Sequence, residues 1–375
     1  MNLHKQPLTD EQKRILESEA RITIVRAGPG SGKTRVFVEA VRALLANWED
    51  HRAGLAALSF TNAAQLEIAE RLGGHLTAPH FVGTLDSFVL RHVVRPFASL
   101  IGIAPRGIQL VPAPLDEEMV QPRVQIGKTA REAQPLYRVR FNQGTENGPT
   151  FYYSSFAGQR KTVPPAFSGL VMAAKRKLWT ASGRVTHTDT HYLAACILRS
   201  THGADIAKLL AKRFPVLLVD ELQDTSWFLG RTLIEILRSP TVKSLLVGDP
   251  DQAIYEFGGA DPTLFSQIEA LEGAKCFSIS TSQRCAARIC KVATALSDSR
   301  SEVFPKSSAR EGSATILVHS LPKAEPSAKL VTQIEDLTPP SELTAILCRR
   351  NQTVRRLQGL ETSQAFNGGS SPDYS

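Results

Sequence analysis

Four patterns are missing from this 375-residue chain, and each absence removes a class of protein. No apolar run approaches the ~20 residues of a membrane-spanning helix, so no membrane association is expected. The opening stretch MNLHKQPLTDEQ has no apolar core of the secretory kind. The five cysteines (Cys196, Cys276, Cys285, Cys290, Cys348) form no C-x-x-C pair. An odd count without metal spacing leads us to expect reduced thiols and a cytoplasmic address. Cys285 and Cys290 read as helix-packing residues rather than ligands. No internal repeat recurs at a fixed period.

What is present is ordinary in bulk and uneven in detail. The hydrophobic content of 42% suits a soluble globular protein, and the length allows two or three domains. The net charge is +8, but residues 119–215 carry 15 Lys and Arg against 4 Asp and Glu. That block is either an electrostatic footprint for a polyanion or a solvated basic face; charge alone does not choose.

The most informative stretch is VRAGPGSGKTRVF, residues 25–37. It approaches the phosphate-cradling pattern G-x-x-x-x-G-K-[ST], with Ala27 in the first position. Pro29 and Ser31 alternate with Gly28, Gly30 and Gly32, which can take φ > 0 and turn backbone N–H groups inward. Lys33 would reach the β- and γ-phosphates, and Thr34 would offer its hydroxyl to Mg²⁺. A strand-like run precedes the turn and a helical pattern follows it, the context such an anion nest requires. Kinases, transporters, switches and motors all share this loop, so its use stays open here.

Residues 1–100 read as alternating helix and strand, the rhythm of a parallel sheet. A helix is expected in TDEQKRILES, strands in RITIVRA and LAALSF, and a helix in TNAAQLEIAERL. The rhythm breaks near residue 101, where proline becomes frequent. LYRVRF and TFYYSSF alternate as exposed strands do, with NQGTENGPT between them read as a turn-rich linker. Residues 101–168 are expected to form an inserted accessory subdomain, with helices resuming from Ser168. SQRCAARICKVATAL reads as a helix, ATILVHS and TAILCRR as strands, and residues 363–375 as a disordered tail.

Asp220 and Glu221 follow the buried-strand pattern PVLLV. Chemistry in open α/β sheets sits at the carboxyl ends of strands. There an Asp can hold Mg²⁺, and a Glu can act as general base or orient the attacking water.

VDELQDT followed by VGDPDQAIYEFGGA resembles motifs II and III of the superfamily 1 UvrD/Rep/PcrA DNA helicases. The order of further motifs agrees with this. LTDEQKRIL resembles the adenine-reading Q motif and implies a base contact for Gln12. AGPGSGKT is the family's form of the loop, LSFTNAAQLEIAERL resembles motif Ia, GTLDSF motif Ib, and STSQRC motif IV. The likeness runs from residue 8 to about residue 290. It implies a P-loop NTPase of α/β class: a RecA-like parallel sheet flanked by helices from residues 1–100 and 169–280. It also implies an incomplete second RecA-like domain over residues 281–362.

The resemblance implies roles residue by residue. Gln252 would sense the γ-phosphate and link it to DNA, Arg284 would touch that phosphate, and Arg35 would lie near the phosphates. Phe60 and Phe257 would stack on bases, with Tyr255 a further candidate. Thr61, Asn62 and Thr84 would touch the DNA backbone. Stacking suits a motor because every base has a π-face, worth roughly 1–3 kcal/mol, with no sequence reading. Read without the motifs, Phe60 and Phe257 are core residues.

Departures from the pattern stand out. Gln283 replaces an adenine-stacking aromatic, Gly258 an arginine and Ala63 a lysine, and motifs V and VI are not found. The implied function is an ATP- and Mg²⁺-dependent 3′→5′ helicase or translocase on single-stranded DNA, in repair, recombination or defence against foreign DNA. Slow turnover and a protein partner that completes the second domain are expected with it. The rival is a non-motor module that binds nucleotide and DNA. A P-loop switch or kinase unrelated to DNA leaves motifs Ia, Ib and III unexplained.

Overall fold

Apolar runs at predicted strand positions form strands of 4–6 residues in one sheet, which gains an edge strand, Ala274–Ile279, that the apolar pattern does not announce. The computed structural model describes residues 7–74, 76–103, 107–111, 123–129, 133–154, 160–253, 259–297 and 301–311. The sheet contains β1 (Ile22–Ala27), β2 (Leu55–Ser59), β3 (Phe81–Thr84), β4 (Val216–Val219), β5 (Lys243–Gly248) and β6 (Ala274–Ile279). Their spatial order is β6-β1-β5-β4-β2-β3, and every neighbouring pair is parallel.

Both faces of the central strands are covered, which is why β2 and β4 are apolar without alternation, whereas the edge strand β6 carries exposed Lys275, Cys276 and Ser278. Helices α1 (Asp10–Leu16), α2 (Lys33–Ala46) and α3 (Asn62–Arg71) cover one face. Ile15, Val36, Phe37, Val41 and Ile68 from these helices pack with Val25, Ala57, Leu218 and Val247. The opposite residues of the same strands, Ile24, Leu58, Val219 and Leu246, enter a second core. That core receives α4 (Leu85–Val89), α5 (Pro165–Ser182), α6 (His187–Leu198), α7 (Gly203–Arg213), α8 (Trp227–Leu237) and α9 (Leu264–Glu269). Each fully buried Leu, Ile or Phe here contributes about 1.5–3 kcal/mol of apolar transfer energy.

Residues 139–154 form an antiparallel hairpin, Val139–Thr145 paired with Gly148–Ser154. Most of NQGTENGPT is therefore strand, and only Glu146 and Asn147 make the turn. Gly148 at φ 104° supplies the left-handed residue that closes it. Turn-forming residue types had masked a two-residue loop with a strand on either side. The hairpin buries Phe141 and Phe151 in the second core, and Phe141 stacks on Tyr192 of α6 at 4.3 Å and 7°. Below them Lys175 is 1% exposed and meets Asp189 at 2.6 Å. The same carboxylate accepts from Trp179 Nε1 at 3.2 Å and Thr186 N at 3.0 Å.

Two predicted helices begin elsewhere. α5 starts at Pro165, three residues before Ser168, because proline suits a first turn that needs no N–H donor. The helix read in SQRCAARICKVATAL forms only as α10 (Ala287–Ala295). The residues before it serve the site instead. All described residues belong to one compact unit, that of residues 1–313 and 372–375; the second unit, residues 314–371, lies outside the described set. The predicted strands ATILVHS and TAILCRR and the tail fall there too. Among the described residues, no helix is long and apolar enough to cross a membrane.

Candidate functional site

The parallel register brings the carboxyl ends of β1, β5, β4 and β2 to one edge. Arg26 pairs with Gly248, Val219 with Leu246 and Leu58 with Val219, so the loops that follow emerge side by side. The glycine loop leaves β1, Asp220 leaves β4, and Asp249 leaves β5.

Within the loop, Gly30 and Gly32 are left-handed, at φ 70° and 94°; Gly28 is not. A Cβ on Gly32 would sit 2.8 Å from Gln12 Nε2, and one on Gly30 would sit 2.7 Å from Ser282 Oγ. Glycine is required at both places by conformation and by space. Ser31 is buried and donates its hydroxyl to Gly28 O at 2.7 Å. Ala27 is buried in the first core and Pro29 offers its carbonyl outward. Lys33 and Thr34 open α2, with Arg35 on the same first turn. The Lys33 ammonium donates to Ala27 O at 3.2 Å and stands 3.8 Å from Asp249 Oδ2.

Asp220 is 2% exposed. Burial first, and then the negative charge of Glu221, push its carboxyl up to about 7, with Lys33 acting against them. Asp224 is pushed up to about 7 by burial and by Glu221, again opposed by Lys33. Burial likewise raises Asp249. Glu221 has φ 55°, the one left-handed residue other than glycine among the described residues. Such a conformation costs of order 1 kcal/mol or more and persists only where neighbours hold it. Here Glu221 N donates to Asp220 Oδ1 at 3.0 Å, and Gln223 Nε2 donates to Glu221 Oε2 at 2.7 Å. Gln252 Nε2 donates to Asp249 Oδ2 at 2.5 Å, so Gln252 reaches Lys33 through a shared carboxylate.

The STSQRC segment docks on the same loop. Ser282 Oγ donates to Pro29 O at 2.9 Å, and Gln283 N donates to Gly30 O at 2.8 Å. Arg284 lies beside the loop, its Nε 3.4 Å from where a Cβ on Gly30 would stand. Gln12 is 1% exposed, and its amide is engaged at both ends: Oε1 accepts from Thr9 N at 3.2 Å and Nε2 donates to Ser31 O at 3.0 Å.

The residues expected to face DNA are placed less evenly. Phe60 is half-buried and lines a small cleft with Ser59, Asp86, Asp220, Glu221 and Thr225. Thr61 caps α3, accepting from Ala64 N at 3.1 Å, and Asn62 is that helix's first residue. Thr84 caps α4, accepting from Ser87 N at 3.1 Å. Tyr255 and Phe257 lie outside the described residues.

A family model of the UvrD/REP helicase N-terminal domain matches residues 8–271. The chain belongs to this family. Among curated relatives, it is 26% identical to the ATP-dependent DNA helicase Rep of Escherichia coli (strain K12), over 80% of this chain and 44% of Rep. It is 23% identical to the Gabija protein GajB of Bacillus cereus (strain VD045), over 95% of this chain and 62% of GajB. It is 25% identical to the ATP-dependent DNA helicase PcrA of Staphylococcus aureus (strain Mu50), over 70% of this chain and 36% of PcrA. The chain thus spans about half the length of these relatives.

In this UvrD/REP-family chain, three site residues escaped the sequence reading. Asp249 is the nearest carboxylate to Lys33, and its position just after a buried strand, like that of Asp220, was the available signal. Gln223 is 4% exposed and joins the two acid loops, donating to Glu221 and accepting from Asp249 N at 3.0 Å. Glu11 accepts from Ser280 Oγ at 2.8 Å, which ties α1 to the Ser282–Arg284 segment. No sequence spacing announces Gln223 or Glu11, because each acts across more than 20 residues.

Proposed function

We propose that this chain is the nucleotide-binding part of an ATP-dependent 3′→5′ DNA helicase or translocase that runs on single-stranded DNA. The observation that carries the reading is the meeting of Lys33, Asp249, Gln252 and Arg284 around one glycine loop, beside Asp220 and Glu221. The donor set fits a magnesium–triphosphate group. Four carboxylates, Asp220, Glu221, Asp224 and Asp249, gather near the Lys33 cation, and burial raises three of them. That is a local deficit of positive charge. Glycine at positions 30 and 32 lets the loop pack closely on Ser282 and Gln12, which fixes its left-handed turns.

ATP with Mg²⁺ supplies the phosphoryl group and the cation that screens its charge. Ala27, Gly28, Pro29, Gly30, Ser31 and Gly32 would hold the phosphates by backbone N–H groups and shape. Lys33 would bind the terminal phosphates, and Thr34 with Asp220 would hold the metal. Glu221 would orient the attacking water or accept its proton. Gln252 and Arg284 would report the γ-phosphate, Arg35 would lie near the phosphates, and Gln12 would read the base. Phe60, Tyr255 and Phe257 would stack on DNA bases, and Thr61, Asn62 and Thr84 would contact its backbone.

In the same reading, residues 1–100 and 169–280 form the first RecA-like domain and 101–168 an accessory subdomain. Residues 281–362 begin a second RecA-like domain that a further segment or a protein partner completes. The cellular setting is DNA repair, recombination or defence against foreign DNA, in the cytoplasm. The alternative is a non-motor module that binds nucleotide and single-stranded DNA; Gln283, in the place of a stacking aromatic, favours it.

The test is ATP hydrolysis with and without an oligo-dT strand. Stimulation by DNA that Lys33→Ala abolishes supports the motor. Salt-sensitive DNA binding without turnover supports the module. Absence of both nucleotide and DNA binding defeats both readings.

A further inference from the structure

Outside the phosphate loop, a polar chain links α4, α6 and the residue before α8. Asp86, on α4, places Oδ1 2.9 Å from His191 Nε2 and Oδ2 3.4 Å from His187 Nδ1. His187 and His191 lie one turn apart on α6, so both rings face the same carboxylate. The other nitrogen of His191, Nδ1, is 3.1 Å from Ser226 Oγ. His191 itself is buried, among the apolar residues Leu193, Ala194 and Ile197 of the same helix.

Each end of this chain belongs to a different part of the site. α4 starts at Thr84, the end of strand β3. Ser226 heads α8, two residues past Asp224, and forms an antiparallel bridge with Ala260. Trp227 N donates to Gly259 O at 2.9 Å and Asp261 N to Thr225 O at 3.0 Å. The segment that leaves Asp249 and Gln252 therefore returns to the chain beside Ser226. A cleft lined by Phe60, Asp86, Asp220, Glu221 and Thr225 joins the same two regions.

Unlike buried Asp189, which meets Lys175, and Thr190, which bonds its own helix, buried His191 reaches across to two other elements. Ser226 is hydrogen-bonded to Nδ1, and the Asp86 carboxylate pairs with Nε2 at 2.9 Å without hydrogen-bond geometry, so a displacement of Asp86 or Ser226 bears on the ring. Burial works against the charge on Asp86, yet His191 and His187 together hold its carboxyl well below the usual range.

We infer that His191 is a positioning residue that couples nucleotide occupancy at the Asp220–Asp249 edge to the single-stranded DNA grip at Phe60 and α4, through Ser226 on one side and Asp86 on the other. This rests on the proposed function. Coupling of this kind is a free energy between two sites, so it is read as a shift in one affinity caused by the other ligand.

The experiment measures binding of labelled oligo-dT to the full chain by anisotropy, without nucleotide and with magnesium and a non-hydrolysable ATP analogue. His191→Leu removes both ring nitrogens, and Ser226→Ala breaks the link at Nδ1 with little change of volume. The wild-type DNA Kd is expected to shift about tenfold with the analogue, within the usual range of coupling. In His191→Leu the shift falls below about twofold, while each ligand alone binds as in the wild type. Should His191→Leu not fold, Ser226→Ala carries the same expectation. A full shift in the folded variants overturns the inference alone, as does a wild type that binds both ligands with no shift. A wild type that binds neither ligand removes the proposed function and this inference with it.

Discussion

Lys33 Nζ and Asp249 Oδ2 stand 3.8 Å apart, both nearly closed to solvent, at the adjoining ends of β1 and β5. The carboxylate oxygen that faces the ammonium also accepts from Gln252. The loop lysine is therefore pre-positioned by the strand next to its own, and the motif III glutamine holds its counter-charge. Asp249→Ala removes the acceptor of Gln252 and loosens Lys33. DNA-stimulated ATP hydrolysis is expected to fall by about tenfold or more in kcat, which steady-state kinetics would show.

The two left-handed glycines of the loop differ from a third one elsewhere. A Cβ on Gly32 would collide with the buried amide of Gln12, whereas one on Gly102, at φ 72°, would meet nothing within 4 Å. Gly102→Ala is expected to lose only the backbone term, about 1 kcal/mol. Gly32→Ala adds the collision, so thermal unfolding should show a larger loss, accompanied by loss of nucleotide binding in calorimetry.

The acid cluster gives a pH dependence with a definite sign. Asp220 and Asp224 have folded-state pKa values raised to about 7, above those of an unfolded chain. A raised carboxyl contributes stability that is complete below the ordinary carboxylate range and is lost as pH rises to about 7. This pair should therefore make the ligand-free protein less stable at pH 8 than at pH 5. Asp220→Asn should reduce that slope and gain relative stability above pH 7, measured by thermal unfolding across the series. On the proposed function, magnesium–nucleotide affinity should rise over the same interval, because a metal at Asp220 would take the ionised carboxylate.

Lys175 and Asp189 test a different kind of burial. The pair lies beneath the hairpin, with the Asp189 carboxylate also bonded to Trp179 and Thr186. Lys175→Met leaves that carboxylate without its cation and should cost about 3–5 kcal/mol in denaturant unfolding. Adding Asp189→Asn removes the unpaired charge and should recover part of the loss.

How far the site was legible follows from how each residue acts. Lys33, Thr34 and the glycines act within one short turn, so their spacing along the chain is their geometry. Asp220 and Glu221 follow a buried strand, and the parallel-sheet rule puts such residues at the site edge. The hairpin over residues 139–154 was half-read, because residues favoured in turns also occupied its strands. Gln12 was read for its contact with a base, but its amide is also a strut between α1 and the loop.

Local pattern alone determined β1, β2 and β4, the phosphate turn and the order of the motifs, because periodicity, glycine freedom and strand-end chemistry are properties of neighbouring residues. Only the tertiary structure decided that Asp249 faces Lys33, that Gln223 joins two acid loops, and that His191 links Asp86 to Ser226. Those pairs are brought together by strand order and helix packing. Contacts of that range depend on the fold of the whole sheet, and no spacing along the chain encodes them one by one.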